Sequence, residues 1–268
     1  MAIRAARLAA KIDRNASEWT PARLHRVFLQ HGCAVVRNVI SQPVLERVRE
    51  VVVDSYTKTG DLHVYDTDIR ANSNGALSGF ELVDVPLLRR LLALVYEGQE
   101  WREHNVAARR IEGTGGGQGW QSPLDLHLDC QIHPFEFTTN FWIPFQDCGV
   151  DSPVVQLLPI DYQRTRRYSG FTGVPLREGE QWHLGYFPEH AFDPSIVADE
   201  FGPECFYRPI MKPGDAIISS NWIIHGSYRT PAMKKGRMSV EVRFIGSKTD
   251  VRMPGMSFRA RLAAAFGG

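Results

Sequence analysis

Residues 124–129 read Leu-Asp-Leu-His-Leu-Asp, a strict alternation of apolar and polar side chains. Successive side chains of a β-strand point to opposite faces of the sheet, so this stretch predicts a strand with its leucines on one face. Asp125, His127 and Asp129 then share the other face. The alternation therefore predicts a strand on which a histidine and a carboxylate, two residues apart, point the same way.

The same period of two continues on both sides of this stretch. After about residue 100, short apolar runs alternate with turns that are rich in Gly, Pro and Asp. We predict strands at approximately 32–40, 104–112, 122–129, 136–146, 153–158, 205–211, 214–225 and 236–246. Many short strands without alternating helices favour an antiparallel sandwich or jelly roll over a parallel α/β sheet.

The sequence before this region has the period of helices. Thr20 followed by Pro21 is typical of a helix start, and two further amphipathic runs follow. We expect helices within about residues 1–100 to cover one sheet of a jelly-roll core at about 104–246. We predict a single domain over 1–268, since a chain of this length fits one domain.

The composition excludes several classes of partner. The chain has 268 residues with 31 basic and 30 acidic side chains, and blocks of like charge are absent, so we expect no nucleic acid partner. No apolar run approaches the roughly 18 residues of a membrane-spanning helix, so no membrane insertion is expected. The 4 cysteines lack C-x-x-C spacing, which favours a cytoplasmic location. The basic opening, residues 1–14, is interpreted as an amphipathic helix, with an organelle transit peptide as the alternative.

A second histidine and an arginine follow much later in the chain. We interpret residues 214–225 as one strand that ends in His225. The next predicted strand begins at Arg237 and places Arg237 and Arg243 on one face. Two imidazoles and one carboxylate on a common face leave coordination positions of Fe(II) open, which is the requirement of an oxygen-activating iron site.

These residues resemble a motif of the phytanoyl-CoA dioxygenase family, which belongs to the iron- and 2-oxoglutarate-dependent oxygenases. The motif is made by His127-Leu128-Asp129, His225-Gly226-Ser227 and Arg237. The sequences GCAVVRNVISQPVLERVREVV (32–52) and FWIPFQDCGVDSPVVQLLP (141–159) also resemble that family. One departure is Pro159-Ile160-Asp161-Tyr162, which stands where the family usually has Pro-Gly-Ser-His.

The resemblance implies a double-stranded β-helix (a jelly roll, cupin-like) with Fe(II) held by His127, Asp129 and His225. It implies 2-oxoglutarate as cosubstrate and O₂ as oxidant. The expected reaction hydroxylates, or otherwise oxidises, an unactivated C–H bond of a small organic molecule in specialised metabolism and releases succinate and CO₂. Desaturation, cyclisation or epimerisation with the same cofactors is an alternative. A jelly roll that binds metal or ligand without catalysis is a second alternative, from a different class.

Four residues are candidates for binding the cosubstrate. The planar fork of Arg237 suits the far carboxylate of 2-oxoglutarate, and Arg243 on the same face is the alternative. Ser227 adds a hydroxyl donor. Gln118 and Gln121, in the glycine-rich stretch before His127, are candidates for the other carboxylate or for the substrate, and a plain polar loop is the alternative.

Some residues near the motifs compete for these roles. His133 is the rival third ligand, although Pro134 after it predicts a turn. Cys130 is the neighbour of an inward residue and is expected to pack away from the metal. Several aromatic side chains are candidates for lining the substrate cavity, with ordinary core packing as the alternative. They are Trp120, Trp182, Tyr186, Phe187 and Trp222.

Overall fold

The fold combines two β-sheets with a layer of helices. The computed structural model describes residues 8–59, 63–65, 80–115, 126–129, 138–160, 194–202 and 204–246. The strands are β1 (Asp13–Asn15), β2 (Cys33–Arg37), β3 (His63–Tyr65), β4 (Trp101–Ile111), β5 (Thr138–Pro144), β6 (Val154–Leu157), β7 (Ala216–Ser220), β8 (His225–Tyr228) and β9 (Arg237–Gly246). The helices are α1 (Pro21–His31), α2 (Gln42–Thr59), α3 (Phe80–Val83), α4 (Pro86–Val95) and α5 (Pro194–Phe201), with a 3₁₀ turn at Ala16–Glu18.

The larger sheet has the strand order β1-β2-β7-β5-β9-β4-β3. Strands β1 and β2 pair in parallel, and the other pairs are antiparallel. The smaller sheet pairs β6 with β8, and single bridges extend it from His225 to His127 and from Leu157 to Tyr207. The stretch around His127 therefore forms one edge of the smaller sheet.

At helix α1, the start and the end agree with the sequence. The Thr20 hydroxyl accepts a hydrogen bond from the Arg23 amide at 3.3 Å, and Gly32 ends the helix with a left-handed φ of +67°.

None of the helices within the described ranges is long enough and apolar enough to cross a bilayer.

Apolar side chains form layers on both sides of the larger sheet. The outer layer packs α1, α2 and α4 against the sheet through residues such as Phe28, Val52, Leu91, Phe141 and Phe244. The inner layer joins the two sheets through residues such as Val35, Trp142, Val155, Leu157 and Ile217. The prediction of a mainly β double-stranded β-helix with helices packed on one sheet is confirmed.

The predicted single strand at 214–225 is wrong. Strand β7 ends at Ser220, and the chain turns before β8 begins at His225 in the other sheet. The Asn221 side chain stabilises this turn, because its oxygen accepts a hydrogen bond of 3.0 Å from the Thr138 amide. The turn residues Trp222, Ile223 and Ile224 are buried, so their hydrophobicity resembles that of a strand.

Other predicted strands also differ from the structure. The predicted strand at 205–211 consists of isolated bridges at Tyr207 and Met211. The first hundred residues contain β1 and β3 in addition to the one strand that we predicted there. Both are three-residue strands at the edges of the larger sheet, too short to show a period.

Gly113 begins the glycine-rich stretch. It packs against the backbone of residues 234–235, just before β9. A Cβ added there would be 2.3 Å from the Lys235 carbonyl oxygen, and the adjacent Thr114 amide donates to the Met233 carbonyl at 2.8 Å. We expect Gly113→Ala to lower the free energy of unfolding by about 1–3 kcal/mol, since two backbone segments must separate. Gly98→Ala is the comparison, because Gly98 has nothing within 4 Å and its substitution is strained only by its φ of +73°. Denaturant unfolding of both variants tests this expectation, and unchanged stability in Gly113→Ala would contradict the steric explanation.

Candidate metal centre

Two histidines and one carboxylate come together between the sheets. His127, Asp129 and His225 each offer one ligand atom, and these atoms lie within 4.8 Å of one another. The Asp129 Oδ1 atom is 3.6 Å from the Nε2 atom of each histidine. His127 and Asp129 are buried, with 4% and 2% of their surfaces exposed. The residues named from the sequence as metal ligands therefore form a group that could hold one ion.

Backbone pairing places the two histidines side by side. The His127 amide donates to the His225 carbonyl at 2.8 Å, and the His225 amide donates to the His127 carbonyl at 3.0 Å. Leu126 and Leu128 point away from this group and pack with Trp222 and Ile224. The alternating pattern thus places the leucines in an apolar layer and the ligand atoms toward the larger sheet.

The electrostatic environment favours a neutral His225 and an ionised Asp129. Burial and the neighbouring His127 lower the pKa of His225. Burial alone would raise the pKa of Asp129, but Arg243 and His225 hold it well below its usual range. The Nδ1 atom of His225 is 3.0 Å from the Ile223 carbonyl oxygen. An N–H at Nδ1 donates to that oxygen and leaves the Nε2 lone pair directed at the group.

The other oxygen of Asp129 is held by two residues of the larger sheet. Asn140 donates to Asp129 Oδ2 at 2.5 Å, and Arg243 Nη2 lies 3.3 Å from the same atom. Arg243 also contacts Glu241 at 2.8 Å. These contacts leave Oδ1 directed toward the histidines, so Asn140 and Arg243 orient the carboxylate.

Arg237 lies in the same cavity but has different surroundings. It is 2% exposed, and its Nε and Nη1 atoms have no hydrogen-bond partner within the described residues. Its guanidinium lies 5.1 Å from the centre of the Trp142 ring. Burial, together with the nearby positive charge of Arg109, lowers its pKa to about 10. Buried N–H groups without partners are costly, so an anionic ligand beside Arg237 would stabilise them.

We define the central cavity by His127, Asp129, Trp142, His225, Ser227 and Arg237, which all line it. Ser227 lies on β8, two residues after His225. Arg243 also lines the central cavity, but it contacts Asp129 and Glu241. The structure therefore favours Arg237 over Arg243 as the arginine whose N–H groups are available to a ligand.

Several residues singled out in the sequence lie outside the described residues. They are Gln118, Gln121, Cys130, His133, Trp120, Trp182, Tyr186 and Phe187. Trp222 is described, and it packs beside Leu126 and Ile224 instead of lining the central cavity. Trp222 therefore fits the alternative of core packing, because it lies in the turn between β7 and β8, on the leucine side of the smaller sheet.

The structure adds residues that the sequence reasoning missed. Asn140, Trp142, Glu241 and Arg109 contact the group or line the central cavity. The strand period gives a partial signal, because Glu241 lies between Arg237 and Arg243 on one face of β9. For Asn140 no local signal exists, since its partner Asp129 lies outside β5, after the bridge at His127.

Similarity to solved structures supports the fold. EctD from S. alaskensis with bound Fe is 15% identical, with a TM-score of 0.61 over 87% of this chain and 80% of that chain. The epimerase SnoN in complex with Fe³⁺, alpha-ketoglutarate and nogalamycin RO is 13% identical, with a TM-score of 0.56 over 85% and 84%. AviO1 from Streptomyces viridochromogenes Tue57 is 14% identical, with a TM-score of 0.55 over 86% and 96%. No family model and no curated protein matches the sequence.

Proposed function

We propose that this protein is an Fe(II)- and 2-oxoglutarate-dependent oxygenase of the phytanoyl-CoA dioxygenase type that acts on a small organic molecule. The observation that carries the proposal is that His127, Asp129 and His225 line one cavity with Arg237, whose Nε and Nη1 atoms have no hydrogen-bond partner within the described residues. Solved structures with the same fold contain iron, and one of them also contains alpha-ketoglutarate. Both observations support the same cofactors for this chain.

The residues of the group fit an iron ion. Two histidines and one carboxylate are the ligand set of non-haem Fe(II) oxygenases, which keep the remaining coordination positions open. Iron with 2-oxoglutarate and O₂ supplies an oxidant for a C–H bond, and the cosubstrate is converted to succinate and CO₂. The chain's own residues bind and orient these reactants: His127, Asp129 and His225 hold the metal.

Arg237 provides the complementary cosubstrate contact. Its fork can make two charge-assisted hydrogen bonds to one carboxylate, and the buried Nε–H, which has no partner within the described residues, would be one of the two donors. Ser227, on the neighbouring wall of the central cavity, adds a hydroxyl donor for the same carboxylate. Binding there would place the opposite end of 2-oxoglutarate toward the metal ligands.

The decisive test is turnover of 2-oxoglutarate without any added substrate. Metal-free protein is reloaded with Fe(II) under anaerobic conditions, and O₂ consumption and succinate are then measured. We expect slow succinate formation that needs both Fe(II) and 2-oxoglutarate, while protein loaded with Zn(II) forms none. Binding of both cofactors without succinate would instead support the non-catalytic jelly roll.

The type of oxidation is a separate question, because the epimerase SnoN shares this fold. Hydroxylation adds one oxygen atom to the product, and ¹⁸O₂ labels it. Desaturation and cyclisation remove two hydrogen atoms, and epimerisation leaves the mass unchanged. Mass spectrometry of the product of a substrate that accelerates succinate formation separates these reactions, and we propose hydroxylation.

Asn140 should influence the Fe(II) affinity indirectly, because it donates a hydrogen bond to Asp129. We expect Asn140→Ala to weaken Fe(II) binding by roughly 10- to 100-fold, the usual effect of removing a hydrogen-bond partner of a ligand. Gln156→Ala is the control, since Gln156 accepts a hydrogen bond from Arg208 away from the group. Anaerobic titration with Fe(II) measures both affinities. Unchanged affinity in Asn140→Ala would show that Arg243 alone orients the carboxylate.

A further inference from the structure

A third arginine reaches the central cavity from strand β4. Arg109 lines the central cavity together with the metal-binding group and Arg237. It pairs with Ser239 in the register between β4 and β9, and Arg237 pairs with Ile111, two residues further along β4. The two arginines therefore lie diagonally across neighbouring strands on the same face of the larger sheet.

The surroundings of Arg109 differ from those of its sequence neighbour. The Nε atom of Arg109 is buried and has no hydrogen-bond partner in the part of the chain that the structure describes. Arg110 is on the opposite face of β4, where its guanidinium lies 4.1 Å from the centre of the Tyr56 ring. Arg110 thus packs against the helical layer, whereas Arg109 lines the central cavity and has a buried N–H group.

The charges lining the central cavity do not balance within the described residues. Arg109, Arg237 and Arg243 face the carboxylates of Asp129 and Glu241. Arg243 contacts both carboxylates, so neither is in an ion pair with Arg109 or Arg237 among the described residues. An Fe(II) ion and a 2-oxoglutarate dianion would add equal and opposite charges. One positive charge is then left without a counter-charge.

We propose that Arg109 binds a carboxylate of the primary substrate, which makes the substrate a small organic acid. This inference rests on the proposed function, in which Arg237 is occupied by 2-oxoglutarate. A partly buried guanidinium is stabilised by a carboxylate through charge-assisted, bidentate hydrogen bonds. Arg109 on β4 lies diagonal to Arg237 on β9, so the substrate carboxylate would bind beside the cosubstrate in the central cavity. The acid group would orient the rest of the substrate toward the metal-binding group.

The test compares small carboxylic acids with their primary amides, which keep the shape and remove the charge. Aliphatic and aromatic pairs are screened by saturation-transfer NMR against protein loaded with diamagnetic Zn(II) and 2-oxoglutarate. We expect several acids to bind and their amides to bind at least tenfold more weakly. Arg109→Gln should weaken binding of these acids by roughly 10- to 100-fold, as expected for loss of a charge-assisted pair. Arg110→Gln should bind them as the natural chain does.

The same variants separate this proposal from its rivals. The dissociation constant of 2-oxoglutarate should change less than about threefold in Arg109→Gln, because this inference assigns the cosubstrate to Arg237. A large change in that constant would place Arg109 in the cosubstrate site and overturn the inference. A screen in which no acid binds better than its amide, or in which Arg109→Gln binds acids normally, also overturns it. Repeating the screen with metal-free protein shows whether Arg109 binds acids even if the proposed oxygenase function fails.

Discussion

Asp129→Ala is expected to abolish iron binding and, with it, turnover of 2-oxoglutarate. Asp129 supplies the carboxylate of the group. It is 2% exposed, so a side chain from the protein surface cannot replace it as a ligand. Its removal also leaves two buried imidazoles and Arg243 without the negative charge that they share. Loss of an outer hydrogen-bond partner already costs roughly 10- to 100-fold in metal affinity, and loss of a ligand should cost more.

The measurement is anaerobic titration of the metal-free variant with Fe(II), together with circular dichroism to show that the chain is folded. Asp129→Asn is the second variant, because it preserves the shape and removes only the charge. Glu241→Gln is the control: it removes the other carboxylate that contacts Arg243, but Glu241 is not part of the group. Iron binding of natural affinity in Asp129→Ala, or an equal loss in Glu241→Gln, would contradict the assignment of Asp129 as a ligand.

The strand pattern predicted much of the fold because burial on one face imposes a period of two. It located β4, β5, β6 and β9. The strand predicted at 122–129 is wrong in its described part, 126–129, which has an isolated bridge at His127 and a helical Asp129, although the two side chains do meet in one group. The strand pattern could not separate β7 from β8, since Trp222, Ile223 and Ile224 are as buried in a turn as they would be in a strand. Hydrophobicity reports burial, and only the backbone hydrogen bonds show that the chain changes sheets there.

The residues of the candidate site were predictable from the sequence to about the same degree as the strands. The ligand types of the side chains and the family resemblance named His127, Asp129 and His225, which the structure brings together as a group that could hold a metal. The preference for Arg237 over Arg243 came from the resemblance to the family motif, because both arginines occupy the same face of β9. What distinguishes them is a contact between Arg243 and Asp129, residues far apart in the sequence. Pairings of this kind depend on how the sheets face each other and leave no local pattern.

Arg237→Ala is expected to raise the Michaelis constant for 2-oxoglutarate by roughly one to three orders of magnitude, since it removes a charge-assisted pair from a buried site. Iron affinity should remain close to that of the natural chain, because Arg237 forms no hydrogen bond with a ligand residue in the described part of the structure. Arg237→Lys keeps the charge but loses the planar fork, so it should recover only part of the affinity. Succinate formation at varied 2-oxoglutarate concentrations gives the Michaelis constant.

Arg243→Ala and Arg237→Ala should cause different defects, and this difference distinguishes the roles of the two arginines. Arg243 contacts Asp129 Oδ2 at 3.3 Å, so its removal should weaken Fe(II) binding and leave the 2-oxoglutarate constant of fully loaded protein nearly unchanged. Arg237→Ala should show the reverse pattern, with normal iron binding and a weak cosubstrate complex. Fluorescence of Trp142, which stacks near Arg237, offers an independent readout of cosubstrate binding in metal-free protein. If Arg243→Ala alone raised the 2-oxoglutarate constant, the anchoring role would belong to Arg243, and the buried N–H groups of Arg237 would need another ligand.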